Sequence, residues 1–154
     1  MFTFSPLFVL ALVLVVLGVL VVLLSLHRIG PAEVGLITKR FAFRKLTGSD
    51  PIAFQGEPGY QAELLMPGLR WRLWPLFAVE KFPWVQVPAG EIGLVIAQVG
   101  APLPIGAKSA VYRPEFGQFS DLAAFMQQGG QKGVQRPVLS PGSLEPIHPV
   151  ALRV

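Results

Sequence analysis

Cysteine is absent from this chain of 154 residues, and histidine occurs only twice, at His27 and His148. Without cysteine the protein has no disulfide framework and no thiolate metal site, which agrees with a cytoplasmic domain. His27 lies at the end of an apolar run, and His148 stands between prolines. No serine lies in a Gly-x-Ser-x-Gly motif. We therefore expect no catalytic residues, no metal site, no cofactor and no enzymatic activity.

Charge is absent from Leu7–Leu26, a run of twenty residues interrupted only by Gly18 and Ser25. A helix of this length measures about 30 Å, which is the thickness of the hydrocarbon core of a bilayer. The run therefore predicts a transmembrane helix that follows a short tail, residues 1–6. A cleaved signal peptide is the alternative, but the tail has no Lys or Arg and the run lacks a small-residue cleavage site at its end.

The net charge of +4 is concentrated beside the apolar run. Residues 27–48 hold five Lys or Arg and a single acid, whereas residues 49–154 are balanced. Positive flanks stay in the cytoplasm, so we expect a cell-membrane protein with its N-terminus outside and its domain in the cytoplasm. Anionic lipid headgroups are the favoured partner, at about 1 kcal/mol per basic residue near the surface. Nucleic acid is not expected, because the rest of the domain is neutral and has no nucleic-acid-binding motif.

Aromatic residues interrupt the basic segment Lys39–Lys45 and gather again in Trp71–Trp84, which contains all three tryptophans. The basic segment predicts either a surface that lies on lipid headgroups or a strand with a solvated basic edge. The tryptophans fit either an interfacial patch or the ordinary packing of a β domain, and packing is favoured. The candidate lipid-contacting residues are Arg28, Lys39, Arg40, Phe41, Phe43, Arg44, Lys45, Trp71, Trp74 and Trp84.

Turns are frequent after the apolar run, because the chain contains 16 glycines and 15 prolines. Between the turns, apolar and basic residues alternate in Leu69–Leu73, which predicts a half-buried strand. Phe119–Gly130 predicts a soluble helix, with Ser120 as its N-cap and Gly129 at its end.

The chain also contains an internal repeat. Pro31–Ile37 matches Pro88–Val95 with one inserted residue, and Gly59–Pro75 matches Gly133–Pro149 at a constant offset of 74. These matches predict one β unit used twice, as a first lobe (residues 29–87) and a second lobe (residues 87–154). The expected fold is α+β: a transmembrane helix (residues 7–26), a basic juxtamembrane stretch (residues 27–48) that begins the first lobe, and a β-rich domain with a tandem repeat and one short packed helix.

Three motifs behind the apolar run, Val87–Val95, Gly130–Gly133 and Val138–Gly142, resemble the SPFH (band 7) superfamily of stomatins, prohibitins and flotillins. The pattern is most similar to the bacterial flotillin-like branch. The resemblance implies an SPFH-type domain and a non-enzymatic scaffold that assembles into large oligomers and organises membrane microdomains. It also implies membrane proteases and small membrane proteins with β-barrel domains as partners. Because the chain stops at Val154, before the coiled coil that such proteins use for assembly, we expect a truncated second lobe and leave self-association open.

A membrane scaffold is thus the favoured function. The alternative is a regulatory subunit that associates with a membrane protease or another membrane enzyme. A hydrolase of envelope components would require a catalytic constellation that the sequence does not contain.

Overall fold

The computed structural model describes residues 5–43, 51–54 and 56–154, and one long helix opens it. Helix α1 spans Pro6–Leu24. Ser5 caps its N-terminus, and proline occupies the first turn, where its missing N–H would have no partner within the helix. None of the residues of α1 is buried. The helix ends two residues before the predicted Leu26, because Ser25 closes the last turn and Leu26 begins a strand.

Among the described residues, six strands build the first lobe. They are β1 (Leu26–Ile29), β2 (Glu33–Lys39), β3 (Ile52–Ala53), β4 (Gly59–Leu65), β5 (Gly68–Trp71) and β6 (Phe77–Pro83). Four of them form a sheet in the order β3-β4-β2-β6, and β1 pairs with β5 separately. All pairings are antiparallel except the parallel pair of β3 and β4. The central strand β2 has a longer run of buried residues, at positions 34–37, than the other strands of this sheet.

The predicted half-buried strand over Leu69–Leu73 is only partly correct. Strand β5 occupies Gly68–Trp71, but all four of its residues are exposed. It pairs with β1 outside the four-stranded sheet, so alternation along it does not separate a buried face from a solvent face.

Short strands and one helical insertion build the second lobe. The strands are β7 (Val85–Gln86), β8 (Ile96–Ala97), β9 (Gly133–Val134), β10 (Leu144–Glu145) and β11 (Leu152–Arg153). Their sheets have the orders β11-β8-β9 and β10-β7. Strand β7 pairs with β10, so Val85 and Gln86 share a sheet with the second lobe.

The predicted helix Phe119–Gly130 is shorter than expected. Helix α2 spans Leu122–Gln127 and is capped by Asp121, whose Oδ1 accepts the N–H of Ala124 at 2.9 Å. Ser120 is not the cap, because its hydroxyl donates to the Gly117 carbonyl and closes a preceding 3₁₀ helix, Pro114–Phe119. Gly129, with a φ of 79°, follows the helix C-terminus in the left-handed conformation that glycine favours.

The larger hydrophobic core joins the two lobes. Phe116, Phe119 and Phe125 of the helical insertion are fully buried and meet edge to face. Ile52 and Ala62 of the first lobe belong to the same buried cluster. A smaller cluster lies within the first lobe and contains Ile29, Ile37 and Leu65. The lobes are therefore packed against each other through a shared apolar interior.

Several contacts of the first lobe have counterparts in the second at the offsets of the sequence matches. Gly35 pairs with Leu65 in the first lobe, and Gly93 forms a bridge with Leu139 in the second. The glutamine side chains also bond alike. The bonds join Gln61 Nε2 to the carbonyls of Glu57 and Gly59, and Gln135 Nε2 to the carbonyls of Gln131 and Gly133.

Candidate membrane-interface site

A single residue, Ser25, connects α1 to β1, and it is completely buried. Its hydroxyl donates to the Val21 carbonyl at 2.6 Å and accepts the N–H of Trp74 at 2.9 Å. The Ser25 carbonyl accepts the N–H of Arg72, also at 2.9 Å. The end of the apolar helix is therefore bonded directly to the segment that follows β5, and the helix and the domain are held in one orientation.

An exposed apolar patch surrounds this junction. The β1–β5 register places Trp71 opposite Leu26 and Leu69 opposite Arg28, just beyond the last turn of α1. Leu69 is 70% exposed and Trp71 54%. We define the junction patch as the exposed residues Leu26, Leu69, Trp71, Trp74 and Leu76. Because it adjoins the end of α1, it continues the uncovered apolar surface of the helix onto the domain.

The three tryptophans lie in different environments. Ordinary core packing is the wrong interpretation for Trp71 and Trp74, because both are exposed. Trp84 is half-buried, and its Nε1 donates to the Glu33 carbonyl at 3.0 Å. Glu33 pairs with Pro83, at the end of β6 farthest from the junction patch. At about 3.3 Å per residue, β6 spans about 20 Å, and Trp84 and Leu76 lie beyond opposite ends of this strand.

The structure brings part of the predicted basic segment to the junction patch. Lys39 is the last residue of β2, and the N–H of Arg40 donates to the carbonyl of Leu76 at 2.9 Å. Phe41 and Phe43 are exposed, but they do not continue the strand. The remaining predicted residues of the segment, Arg44 and Lys45, lie outside the described residues.

Further basic residues lie on the β1–β5 pair and directly after it. Arg28 and Arg70 are exposed, and Arg70 Nε donates to the Met66 carbonyl at 3.2 Å. Arg72 forms an ion pair with Glu63 at 2.8 Å. Both partners are solvent-accessible, so this pair adds little to stability. The arginines place positive charge next to the apolar patch, as at a membrane–water interface.

Two open clefts flank Trp71 and Arg72, with volumes of about 370 and 350 Å³. Met66 and Leu69 line the first cleft. Ile37, Lys39 and Phe77 are among the residues that line the second. Glu63 and Arg72, which form an ion pair, line both clefts. The lining of the first cleft is mainly polar, and that of the second is mainly apolar.

His148 is fully buried between the lobes. Its Nδ1 accepts the N–H groups of Val150 and Ala151 at 3.3 and 3.1 Å, and its Nε2 lies 3.1 Å from the carbonyl of Gln61 in the first lobe. This arrangement requires a neutral ring with its proton on Nε2. Burial lowers the pKa of His148, although its backbone hydrogen bonds partly oppose the shift. His148 thus stabilises the contact between the lobes.

His27 faces a different environment. It pairs with Arg70 across the β1–β5 register. Burial and the nearby positive charge of Lys81 lower its pKa. Among the residues that the structure describes, no three His, Asp or Glu side chains form a group that could hold a metal ion.

No protein-family model, curated protein or solved structure matches this chain. The resemblance to the SPFH superfamily therefore stays a prediction from the motifs. The structure establishes an α+β fold with an N-terminal apolar helix and several small sheets. Helix α1, with 19 residues and a mean hydropathy of 3.6, is long and apolar enough to cross a membrane, a property that N-terminal signal sequences share.

The sequence indicated the aromatic and basic residues of this site but not what holds them together. In the sequence, Ser25 is recognisable only as an interruption of the apolar run. A serine at the end of such a run can bond the carbonyl four residues earlier, and this is a signal that could have suggested a closed junction. The alternation in Leu69–Leu73 predicts that Leu69 belongs to a half-buried strand, but Leu69 is among the most exposed residues of the patch.

Proposed function

We propose that this chain is a single-pass scaffold of the cell membrane that organises lipids and membrane proteins, as flotillin-like members of the SPFH superfamily do. Its domain would lie on the cytoplasmic surface. The observation that carries the proposal is the Ser25 junction, which fixes an exposed apolar and aromatic patch at the end of an uncovered apolar helix. The action proposed is binding and organisation.

The chemistry of the junction patch supports contact with lipid. With α1 in the hydrocarbon core, Trp71 and Trp74 would lie at the level of the headgroups, where indole rings are favoured. Arg28, Arg70 and Arg40 would meet lipid phosphates, at about 1 kcal/mol each. Because Ser25 leaves no linker between helix and domain, the same side chains would meet the lipids around α1 in every molecule.

We further infer that the two lobes are copies of one unit, as the internal sequence matches predict. The repeated pairings of Gly35 and Gly93 support this, and so does the space around these two residues. A Cβ at Gly35 would meet Ile29 Cδ1 at 2.7 Å, and one at Gly93 would meet Val87 Cγ2 at 2.8 Å. Ile29 and Val87 are themselves separated by the offset that relates the two glycines. Two similar lobes would give a scaffold two related surfaces.

Fluorescence quenching tests the position of the patch. Three variants of the full chain, each keeping one tryptophan and replacing the others by Phe, are reconstituted in bilayers with lipids brominated near the headgroup. We expect strong quenching for the chains that keep Trp71 or Trp74, because both would lie at the interface. Trp84 is the internal control, since it lies beyond the opposite end of β6 from Leu76 of the patch. Equal quenching of all three, or of none, would contradict the proposed orientation.

Purification from membranes in mild detergent, followed by light scattering, tests the scaffold itself. Homogeneous self-association with co-purified lipid supports it. A single membrane protease in stoichiometric amount would instead contradict the scaffold and favour the regulatory subunit.

A further inference from the structure

The second cleft, which has a volume of about 350 Å³, opens next to the end of α1. Trp71, Arg72, Leu73 and Phe77 all line it. The N–H of Arg72 donates to the Ser25 carbonyl at 2.9 Å, and the N–H of Phe77 donates to the Leu73 carbonyl at 3.1 Å. The segment that lines the cleft is therefore bonded to the residue that ends α1. With α1 in the hydrocarbon core, the cleft would lie level with the lipid headgroups.

Strand register places a basic side chain beside apolar ones in this cleft. Lys39 lies opposite Phe77 in the unbroken pairing of β2 with β6. Because side chains alternate along a strand, Lys39 shares a face with Ile37, which is buried in the smaller cluster of the first lobe. Phe77 packs against the same cluster. The cleft therefore combines apolar side chains with an ammonium group next to them.

Two cations and one carboxylate line the second cleft, which gives it a net charge of +1. Lys39 Nζ donates to the Gly56 carbonyl at 2.7 Å. This acceptor is neutral, so the ammonium group keeps its charge and two further donors. Arg72 Nη2 donates to Glu63 Oε1 at 2.8 Å, in a pair that is open to solvent. Such a pair adds little to stability, so Arg72 can bond another anion at small cost.

We propose that the second cleft is a site for one anionic phospholipid, whose phosphate bonds Lys39 and Arg72 while an acyl chain lies against Trp71 and Phe77. A phosphodiester carries a single negative charge, which matches the net charge of the cleft, and bonds from cations to phosphate are strong. A zwitterionic lipid would bring a further cation close to these two. A free phosphate ester would leave the apolar lining uncovered. The proposal rests on the proposed function and adds a selective lipid site to it.

Binding in micelles of a non-ionic detergent tests the site. The full chain keeps Trp71 as its only tryptophan, because Trp71 lines the cleft, and the other two are replaced by Phe. Phosphatidylglycerol and phosphatidylcholine with the same brominated acyl chains are titrated separately. We expect saturable quenching by phosphatidylglycerol, and we expect phosphatidylcholine to require about tenfold more lipid for the same effect.

Two variants should shift binding of phosphatidylglycerol in opposite directions. Lys39→Gln keeps a donor for the carbonyl but removes the charge, and it should weaken binding about tenfold. Glu63→Gln releases Arg72 from its ion pair and raises the net charge of the cleft, and it should tighten binding about threefold. A variant that fails to fold cannot bind the lipid more tightly, so the Glu63 variant keeps the test decisive.

Matched controls lie on β6. Lys81→Gln and Glu80→Gln remove the same charges from exposed residues that are not among those lining the cleft. Lys81 is four residues along β6 from Phe77, or about 13 Å. Neither control should change binding by more than about twofold.

Three results would overturn the proposal. One is equal quenching by the two lipids, which would mean that the cleft does not select an anion. Another is an equal loss of binding in the Lys81 control, which would indicate general attraction to charge. The third is displacement of the lipid by an equal concentration of glycerophosphoglycerol, the headgroup without acyl chains, which would assign the cleft to a soluble phosphate ester.

This test is separate from that of the membrane orientation. Micelles impose no bilayer plane, whereas quenching of Trp74 and Trp84 in bilayers reports the orientation alone. Loss of lipid selectivity with normal bilayer quenching would refute the lipid site and leave the proposed function standing. Equal bilayer quenching of the tryptophans with selectivity intact would refute the orientation instead.

Discussion

Replacing Ser25 by Ala tests whether the junction holds the helix and the domain together. The change removes the hydroxyl that donates to Val21 and accepts from Trp74, whereas the bond from Arg72 to the Ser25 carbonyl stays. Loss of one partner of a buried hydrogen bond costs about 1–3 kcal/mol. Because the bond from Trp74 is only partly buried, we expect the lower half of that range, about 1–2 kcal/mol. Val21 keeps a partner in the N–H of residue 25.

The assay is urea unfolding of the full chain in detergent micelles, followed by tryptophan fluorescence. Ser120→Ala is the matched control, because that hydroxyl also makes a 2.6 Å bond to a carbonyl, but at an exposed site. We expect the control to lower the free energy of unfolding by less than about 0.5 kcal/mol. A Ser25→Ala protein as stable as the control, with unchanged lipid quenching of Trp74, would refute the argument that Ser25 fixes the junction.

Two further predictions concern the interior. Because burial keeps His148 neutral while the unfolded chain takes up a proton below about pH 6.5, stability should be full above that pH and fall on acidification. The slope is at most about 1.4 kcal/mol per pH unit, and urea unfolding at several pH values should show it to be steeper than in a His148→Gln chain. Gly35→Ala and Gly93→Ala should each lower the free energy of unfolding by about 1–3 kcal/mol, because the added Cβ overlaps side chains in both lobes. Gly18→Ala, which meets no atom within 4 Å, is the control, and a cost at only one of the two sites would contradict their equivalence.

Local patterns predicted the parts of this fold that depend on local chemistry. The uncharged run gave α1 to within two residues, and turn residues and alternation indicated a β-rich domain after it. The N-cap of α2 was missed by one residue, because Ser120 and Asp121 are both good caps and stand side by side. The choice depends on the 3₁₀ helix before them, which buries Phe119 and engages the Ser120 hydroxyl. That preference comes from packing, which one-dimensional patterns do not contain.

The candidate site is built by hydrogen bonds between residues that are far apart in the sequence, so local patterns predict it less well than they predict the helices. Ser25 bonds to Trp74 across 49 residues, and Trp84 bonds to Glu33 across 51. Sequence proximity therefore grouped three tryptophans that the fold separates. The alternation in Leu69–Leu73 also did not reveal that the β1–β5 pair is exposed. A strand with alternating residues buries one face only when another layer covers that face.

The Ser25 junction and the shared core together hold the described domain in a fixed relation to α1. The Ser25 bonds fix the first lobe to α1, and the shared core that joins Ile52 and Ala62 to Phe125 fixes the second lobe to the first. His148, bonded to the carbonyl of Gln61, adds a polar contact between them. The surfaces of the second lobe are therefore held at a constant position relative to α1, which a domain on a flexible linker could not achieve.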